Sequence, residues 1–145
     1  MKKLVSILAV LFITVSAMAQ VSTASGSLKT LKSFRLGTCK IVEVTKGDAV
    51  TYQITGRPVD TNFTEMNVFL GDADKAVKTL LSLAEYKPSS SREVVNLNNP
   101  GDNTAQYVKL NACWMIQSTG GQFDLSVSRG ELRKMAEAIT KSLNK

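Results

Sequence analysis

The fold class is decided by the stretch from Tyr107 to Glu131, which reads YVKLNACWMIQSTGGQFDLSVSRGE. Apolar and polar side chains alternate from Tyr107 to Gln117, and this alternation predicts the longest strand of the domain. The glycines at 120–121 predict a turn, and renewed alternation after them predicts the partner strand of a hairpin. Ser128 and Glu131 match the capping-box pattern, so a terminal helix should begin here.

Strand patterns also fill the chain before this stretch. β-Branched residues or alternating apolar residues mark three further segments, and a short apolar run marks a fourth. The turn Lys46-Gly47-Asp48 joins the first two as a hairpin. We therefore predict further strands over residues 38–45, 50–55, 64–70 and 93–97.

One amphipathic helix is predicted between the third strand and the short edge strand. Apolar residues recur at helical spacing over 73–84, Asp72 or Asp74 can cap the first turn, and Lys87-Pro88 ends the run. Because hairpins precede each helix, this order predicts the α+β class. We expect a two-layer sandwich in which an antiparallel sheet of about five strands carries two helices on one face. No internal repeat is apparent.

The amino-terminal residues are typical of a secretory signal peptide. A basic start and an apolar run over 4–15 precede the Ala-Met-Ala triplet at 17–19, which has the small-x-small pattern of a cleavage site. The apolar run is shorter than the roughly 20 residues that cross a bilayer as a helix. We therefore predict a signal peptide over 1–19 and the export of a chain that begins at Gln20.

A simple organisation is predicted for the exported chain. Residues 20–37 begin with small and polar side chains and are expected to form a flexible leader, and residues 38–145 a single α+β domain. Within the leader, the apolar residues from Leu28 to Leu36 predict either a short helix or an edge strand. No second long apolar segment follows the signal, so no membrane span is expected after cleavage. The short signal with its two lysines is typical of bacteria, which predicts a location in the periplasm or the extracellular medium.

Composition excludes several common chemistries. The chain contains no histidine, which rules out Ser-His and Cys-His catalytic pairs and every metal site that uses histidine. The sequence has no glycine-rich phosphate-binding motif, and we expect no cofactor. With 18 basic and 12 acidic side chains and few aromatics, the chain is only mildly basic, so we expect no nucleic-acid binding.

The two cysteines, Cys39 and Cys113, have more than one interpretation. An oxidising compartment would allow them to form a disulfide that closes a long loop. Alternatively, each is a small buried hydrophobe without a partner. Cys113 falls on the polar side of its predicted strand with Lys109, and a nearby ammonium lowers the pKa of a thiol, so Cys113 is also a candidate nucleophile.

The polar segment from Pro88 to Thr104 is the first candidate for a contact surface. It is longer than most connections, and long loops are either functional or simply mobile. Its polar and charged side chains supply the candidate ligand-binding or partner-binding residues, which are Arg92, Asn98, Asn99, Asp102 and Asn103. Elsewhere, Asp72 and Asp74 are interpreted as helix caps and Trp114 as a core residue.

The leading functional hypothesis is a non-catalytic exported domain that binds a partner protein or a component of the cell envelope. The polar loop and an exposed sheet face or edge would form the contact. One alternative is a small carboxylate-based hydrolase of glycans, which requires two carboxylates that converge in a cleft. Another is a carrier of a small apolar ligand, which requires a cavity between the sheet and the helices. No catalytic or metal-binding residue is assigned.

Overall fold

In the part of the chain that the structure describes, antiparallel sheets combine with two helices, as the α+β prediction requires. The computed structural model describes residues 26–59, 64–119, 121 and 124–145. The predicted signal peptide and its cleavage site therefore lie outside the described residues. Two sheets of four strands each are present where one sheet of about five strands was expected, so the prediction of a single sheet is wrong.

The first sheet contains four consecutive strands in the order β1-β2-β3-β4. These are β1 (Gly26–Phe34), β2 (Cys39–Lys46), β3 (Ala49–Gly56) and β4 (Met66–Gly71). Strand β1 lies within the segment predicted to be a leader, where it confirms the edge-strand alternative for the apolar residues that begin at Leu28. Leu31 and Phe34 pack against the core from this strand, and these apolar contacts hold the edge strand in place.

The second sheet contains the remaining strands in the order β5-β6-β7-β8. These are β5 (Val94–Asn96), β6 (Thr104–Val108), β7 (Cys113–Gln117) and β8 (Asp124–Ser128). The single long strand predicted over 107–117 is therefore wrong. A 3₁₀ turn over Lys109–Asn111 divides it into a hairpin, and Ala112 takes a left-handed backbone conformation with a φ of 48°.

Two hairpins of the structure have similar turns. In β1–β2, Phe34 pairs with Cys39 across a 3₁₀ turn, and in β6–β7, Val108 pairs with Cys113 across another. Each turn begins with a basic residue followed by leucine. We call these two turns the tips, with tip 1 comprising Arg35–Gly37 and tip 2 comprising Lys109–Asn111. This similarity was not apparent in the sequence because few residues are identical around the two turns.

Both predicted helices are confirmed, together with their caps. Helix α1 spans Ala73–Glu85, and the Asp72 side chain accepts a hydrogen bond from the Lys75 backbone N–H at 2.9 Å. Helix α2 spans Arg129–Leu143 and begins with the predicted capping box of Ser128 and Glu131. Such caps satisfy backbone donors that have no partner within the helix. The helices pack against each other, α1 against β3 and β4, and α2 against β1 and β8.

One continuous core joins both sheets and both helices. Trp114 is completely buried, and its ring makes an edge contact with Tyr86, with ring centroids 5.9 Å apart. This confirms the interpretation of Trp114 as a core residue. The sheets approach closely at Gly56, where a Cβ atom would lie 2.5 Å from Cδ1 of Leu125. Only a residue without a side chain fits this junction without rearrangement.

The cysteines are free thiols, so the disulfide interpretation is not supported and the buried alternative is confirmed. Cys39 belongs to the core cluster, on β2 of the first sheet. Cys113 is buried outside that cluster on β7, next to Trp114, which points the other way into the core. Burial raises the pKa of the Cys39 thiol to about 11, against a lowering by the Arg35 guanidinium and with a further increase from the Glu131 carboxylate.

None of the helices among the described residues is both long and apolar enough to cross a membrane.

Candidate functional site

Strand β5 has one edge that no other strand of the described residues covers. It pairs only with β6. On the side that faces β6, the Leu97 backbone N–H donates to the Asn103 carbonyl at 2.9 Å, and the Tyr107 N–H donates to the Glu93 carbonyl at 3.4 Å. Because antiparallel strands alternate the direction of their backbone groups, Val94 and Asn96 direct theirs to the outer edge. An edge of this kind can accept a further strand.

Helix α1 forms a wall opposite this edge. The space between the helix and β5 has a volume of about 390 Å³, and we call it the α1–β5 groove. Several of its side chains are exposed, so it is an open groove rather than the enclosed cavity that a ligand carrier needs. The groove is lined by Lys75, Lys78, Thr79, Ser82, Leu83, Tyr86 and residues 95–98.

The groove has an apolar floor and a basic rim. Leu83 and Leu97 are buried at its base, and Lys75 and Lys78 are exposed along one side. No carboxylate is among its lining residues. Lys75 Nζ lies 3.8 Å from Asp72 Oδ2, but both side chains are well exposed, and such surface pairs contribute little. Lys78 makes no ion pair with any described residue, so the rim favours an acidic ligand.

The loop after β5 is fixed by two buried asparagines. The Asn99 amide donates to the Phe69 carbonyl of β4 at 2.5 Å, and the Asn103 amide donates to the Gln117 carbonyl of β7 at 2.8 Å. The Asn103 backbone N–H donates to Asn99 Oδ1 at 2.9 Å. These two predicted contact residues are each only 4% exposed and hold the loop in place. They position the groove and are not part of its accessible surface.

The other predicted contact residues lie in different places. Asn98 is exposed and lines the groove, with a φ of 51° that turns the chain at the end of β5. Asp102 is exposed on the loop but does not line the groove. Arg92 lies beside Lys109 and Leu110, away from the groove. The structure therefore brings only Asn98 of the predicted set into the site.

A hydrogen-bonded clamp closes the end of the groove at Tyr86. The Tyr86 hydroxyl donates to Glu93 Oε1, and the Ser89 backbone N–H and hydroxyl donate to Glu93 Oε2 at 2.6 and 2.8 Å. The hydrogen bond from Tyr86 is the main reason that the pKa of Glu93 is lowered. The same bond raises the pKa of Tyr86. The clamp fixes the segment between α1 and β5, and so the spacing of the two groove walls.

The carboxylates that line the depression between the two helices do not form the pair that glycan hydrolysis needs. Glu85 and Glu137 line a depression between the helices, but both are exposed, and Glu85 Oε1 lies 2.9 Å from Arg133 Nε. A carboxylate pair for hydrolysis needs an acid whose surroundings raise its pKa, usually by burial. No group of three or more metal-ligating side chains occurs in the described part of the chain.

The comparisons with known proteins show no relative: no protein-family model, no curated protein and no solved structure matches the chain significantly. We therefore infer the function of the protein from the geometry and charge of the α1–β5 groove. Its lysines were missed in the sequence because Lys75 and Lys78 look like the ordinary solvent-facing side of an amphipathic helix.

Proposed function

We propose that this is a non-catalytic binding protein that holds an extended, acidic segment of a partner protein in the α1–β5 groove. The observation that carries the proposal is the uncovered edge of β5 facing a helix across an apolar floor. Adding a strand to a sheet edge is a common way of recognising an extended peptide. The main-chain hydrogen bonds supply affinity, and the side-chain pockets supply specificity.

The groove defines what the bound segment should look like. Its backbone would form hydrogen bonds with the outward groups of Val94 and Asn96. Because side chains alternate along a strand, every second one would face the floor formed by Leu83 and Leu97. Carboxylates at the rim would approach Lys78, which is the groove lysine that makes no ion pair with a described residue. The expected ligand is therefore a short segment of alternating apolar and acidic residues.

We also propose that this binding takes place outside the cytoplasm. The support is the signal-like sequence of residues 1–19. Intact-mass spectrometry of the protein from its own host tests this part separately. A mass that begins at Gln20 is expected, and a mass that begins at Met1 would overturn export without affecting the groove.

Binding is tested with a fluorescent seven-residue peptide of alternating valine and glutamate, by anisotropy titration of the purified protein. We expect saturable binding that weakens as salt is raised. A peptide with lysine in place of glutamate should not bind. A third peptide, N-methylated on alternate amides, keeps its side chains but cannot form the ladder of hydrogen bonds. If it binds as well as the parent peptide, strand addition is wrong.

A charge-reversal variant tests whether the acidic peptide binds in the α1–β5 groove. Lys78→Glu should weaken binding of the acidic peptide by about tenfold or more, because it replaces an attraction with a repulsion. Lys134→Glu is the matched control, since this exposed lysine lies on α2, outside the groove. Both variants change the net charge equally. Equal losses in the two variants would indicate nonspecific attraction instead of a groove.

A further inference from the structure

Tip 1 and tip 2 lie at the same end of the molecule. Arg35 Nε of tip 1 lies 2.9 Å from Glu131 Oε1, in the first turn of α2. The Arg35 guanidinium also donates to the Ser126 carbonyl of β8 at 2.5 Å. Tip 2 leads directly into Cys113, which pairs with Ser128, the N-cap of α2. Both tips therefore flank the start of α2.

Each tip presents a leucine that contacts almost nothing. Leu36 is 107% exposed and Leu110 is 93% exposed relative to a reference residue. A single exposed leucine is ordinary on a protein surface. Here two occupy equivalent places in repeated hairpins, and Leu36 has a left-handed backbone conformation with φ 56° and ψ 35°. Bulky residues rarely adopt this conformation, and strained backbone positions of this kind cluster at functional sites.

A basic cleft lies beside tip 2. Lys87, Lys109 and Arg129 line it with the hydroxyl-bearing residues 89–91, in a volume of about 320 Å³ that no carboxylate lines. The Arg129 guanidinium lies 5.0 Å from the centre of the Tyr107 ring and donates to a backbone carbonyl at 2.8 Å. Its Nε is buried and has no hydrogen-bond partner.

The cations of this cleft are available to a ligand. The Glu93 carboxylate, which binds Ser89 of the cleft, already accepts hydrogen bonds from Tyr86 and Ser89. Neither Lys87 nor Lys109 makes an ion pair with a described residue. Phosphate oxygens would supply the acceptors that the Lys87 and Lys109 ammonium groups lack.

We infer that this end of the molecule docks on an anionic lipid surface. Leu36 and Leu110 enter the boundary between headgroups and acyl chains, and the cleft cations face lipid phosphates. The combination favours a bilayer as the partner. Apolar side chains that protrude individually bury little area against a flat protein surface, but lipid can surround them. The cations are attracted to the negative potential of an anionic lipid surface. This inference goes beyond the proposed peptide binding, and it does not depend on it.

Co-sedimentation of the purified protein with lipid vesicles tests the inference. Vesicles of phosphatidylcholine with about one third phosphatidylglycerol should bind it, and neutral phosphatidylcholine vesicles should bind it far less. The Leu36→Ser/Leu110→Ser double variant should lower the partition coefficient by at least about tenfold. Lys87→Gln and Lys109→Gln each remove one positive charge, and each should lower the partition coefficient by about fivefold.

Two exposed positions away from the tips serve as controls. Leu28 is 71% exposed in β1, and Lys46 lies at the end of β2 opposite tip 1. Leu28→Ser and Lys46→Gln should leave vesicle binding unchanged. All variants share the same amino-terminal sequence, so a difference between them reports on the substituted positions.

Several outcomes would overturn the inference. These are no vesicle binding, equal binding to neutral vesicles, or equal losses in the control and tip variants. Saturation of the cleft by inorganic phosphate without vesicle binding would indicate a soluble anion as the ligand. A photo-crosslinker at position 36 that attaches to a protein and never to lipid would indicate a protein partner instead.

Discussion

At the scale of single residues, the tightest steric constraint on a described glycine is at Gly56. A methyl group there would lie 2.5 Å from Leu125 Cδ1 and 3.2 Å from the Thr38 carbonyl oxygen. Gly56→Ala should therefore lower the free energy of unfolding by about 1–3 kcal/mol, because the two sheets must move apart or Leu125 must leave its rotamer. Urea denaturation measures this change.

Gly130 provides the matched control for Gly56. It lies in the first turn of α2, where a methyl group would meet nothing closer than the Ser128 hydroxyl at 4.0 Å. Gly130→Ala should raise the free energy of unfolding by up to about 1 kcal/mol, because alanine favours the helix. Destabilisation by both substitutions would show that the close approach at Gly56 is not the cause.

Leu36 tests whether the tip is strained. Because its φ is 56° and its side chain is fully exposed, Leu36→Gly removes backbone strain without losing packing. Leu36→Ala keeps the strain. The glycine variant should therefore be more stable than the alanine variant by about 1 kcal/mol, as measured by thermal unfolding. A more stable alanine variant would contradict the left-handed conformation of the tip.

At the scale of elements, the ends of the helices were predictable and the break at tip 2 was not. Asp72, Ser128 and Glu131 are local signals whose chemistry acts within one turn. By contrast, Val108 and Leu110 continue the alternation of β7 through the turn, so the pattern predicts one strand. Nothing local reveals that Leu110 points into solvent, because that depends on how the hairpin packs.

The candidate site was only partly predictable for the same reason. A short edge strand over 93–97 was predicted, and β5 confirms it over Val94–Asn96. Its position beside α1 depends on tertiary packing, which the local pattern does not contain. The asparagines of the loop illustrate the difficulty, because Asn99 and Asn103 are polar in the sequence yet buried in the structure.

The clamp at the end of α1 should respond to pH. Its hydrogen bonds hold the pKa of Glu93 below the ordinary value of 4.5. A carboxyl whose folded-state pKa is lowered stabilises the fold above its unfolded pKa, and this contribution is lost as the pH falls through the folded-state pKa. Glu93→Gln should therefore lower stability at neutral pH and flatten the loss of stability on acidification. Parallel pH profiles for the two proteins would contradict the clamp.

At the scale of the whole molecule, both cysteines should react only when the fold opens around them. Cys39 is completely buried and its pKa is raised to about 11, and Cys113 is 5% exposed. The thiolate is the reactive form, so burial and a high pKa both protect Cys39. Iodoacetamide labelling of the native protein should follow the rate of unfolding. Rapid labelling of Cys39 under native conditions would show that the core is more open than described.

The two surfaces that we propose to bind ligands are separate. The α1–β5 groove presents an uncovered strand edge with lysines, and the tips present two leucines beside a basic cleft. Tyr86 lies between them, since it borders the groove and its clamp fixes the segment that lines the cleft. A protein held at a lipid surface by its tips could thus keep the groove accessible to an exported partner.

The most direct test of strand addition is amide hydrogen exchange at Val94 and Asn96, measured by NMR with and without the valine-glutamate peptide. These two amides face the outer edge of β5 and should exchange quickly in the free protein. On binding, both should be protected, while the Val95 amide, which already faces β6, should change little. Saturating peptide that leaves Val94 and Asn96 unprotected would contradict the account, because the peptide would then bind without extending the sheet.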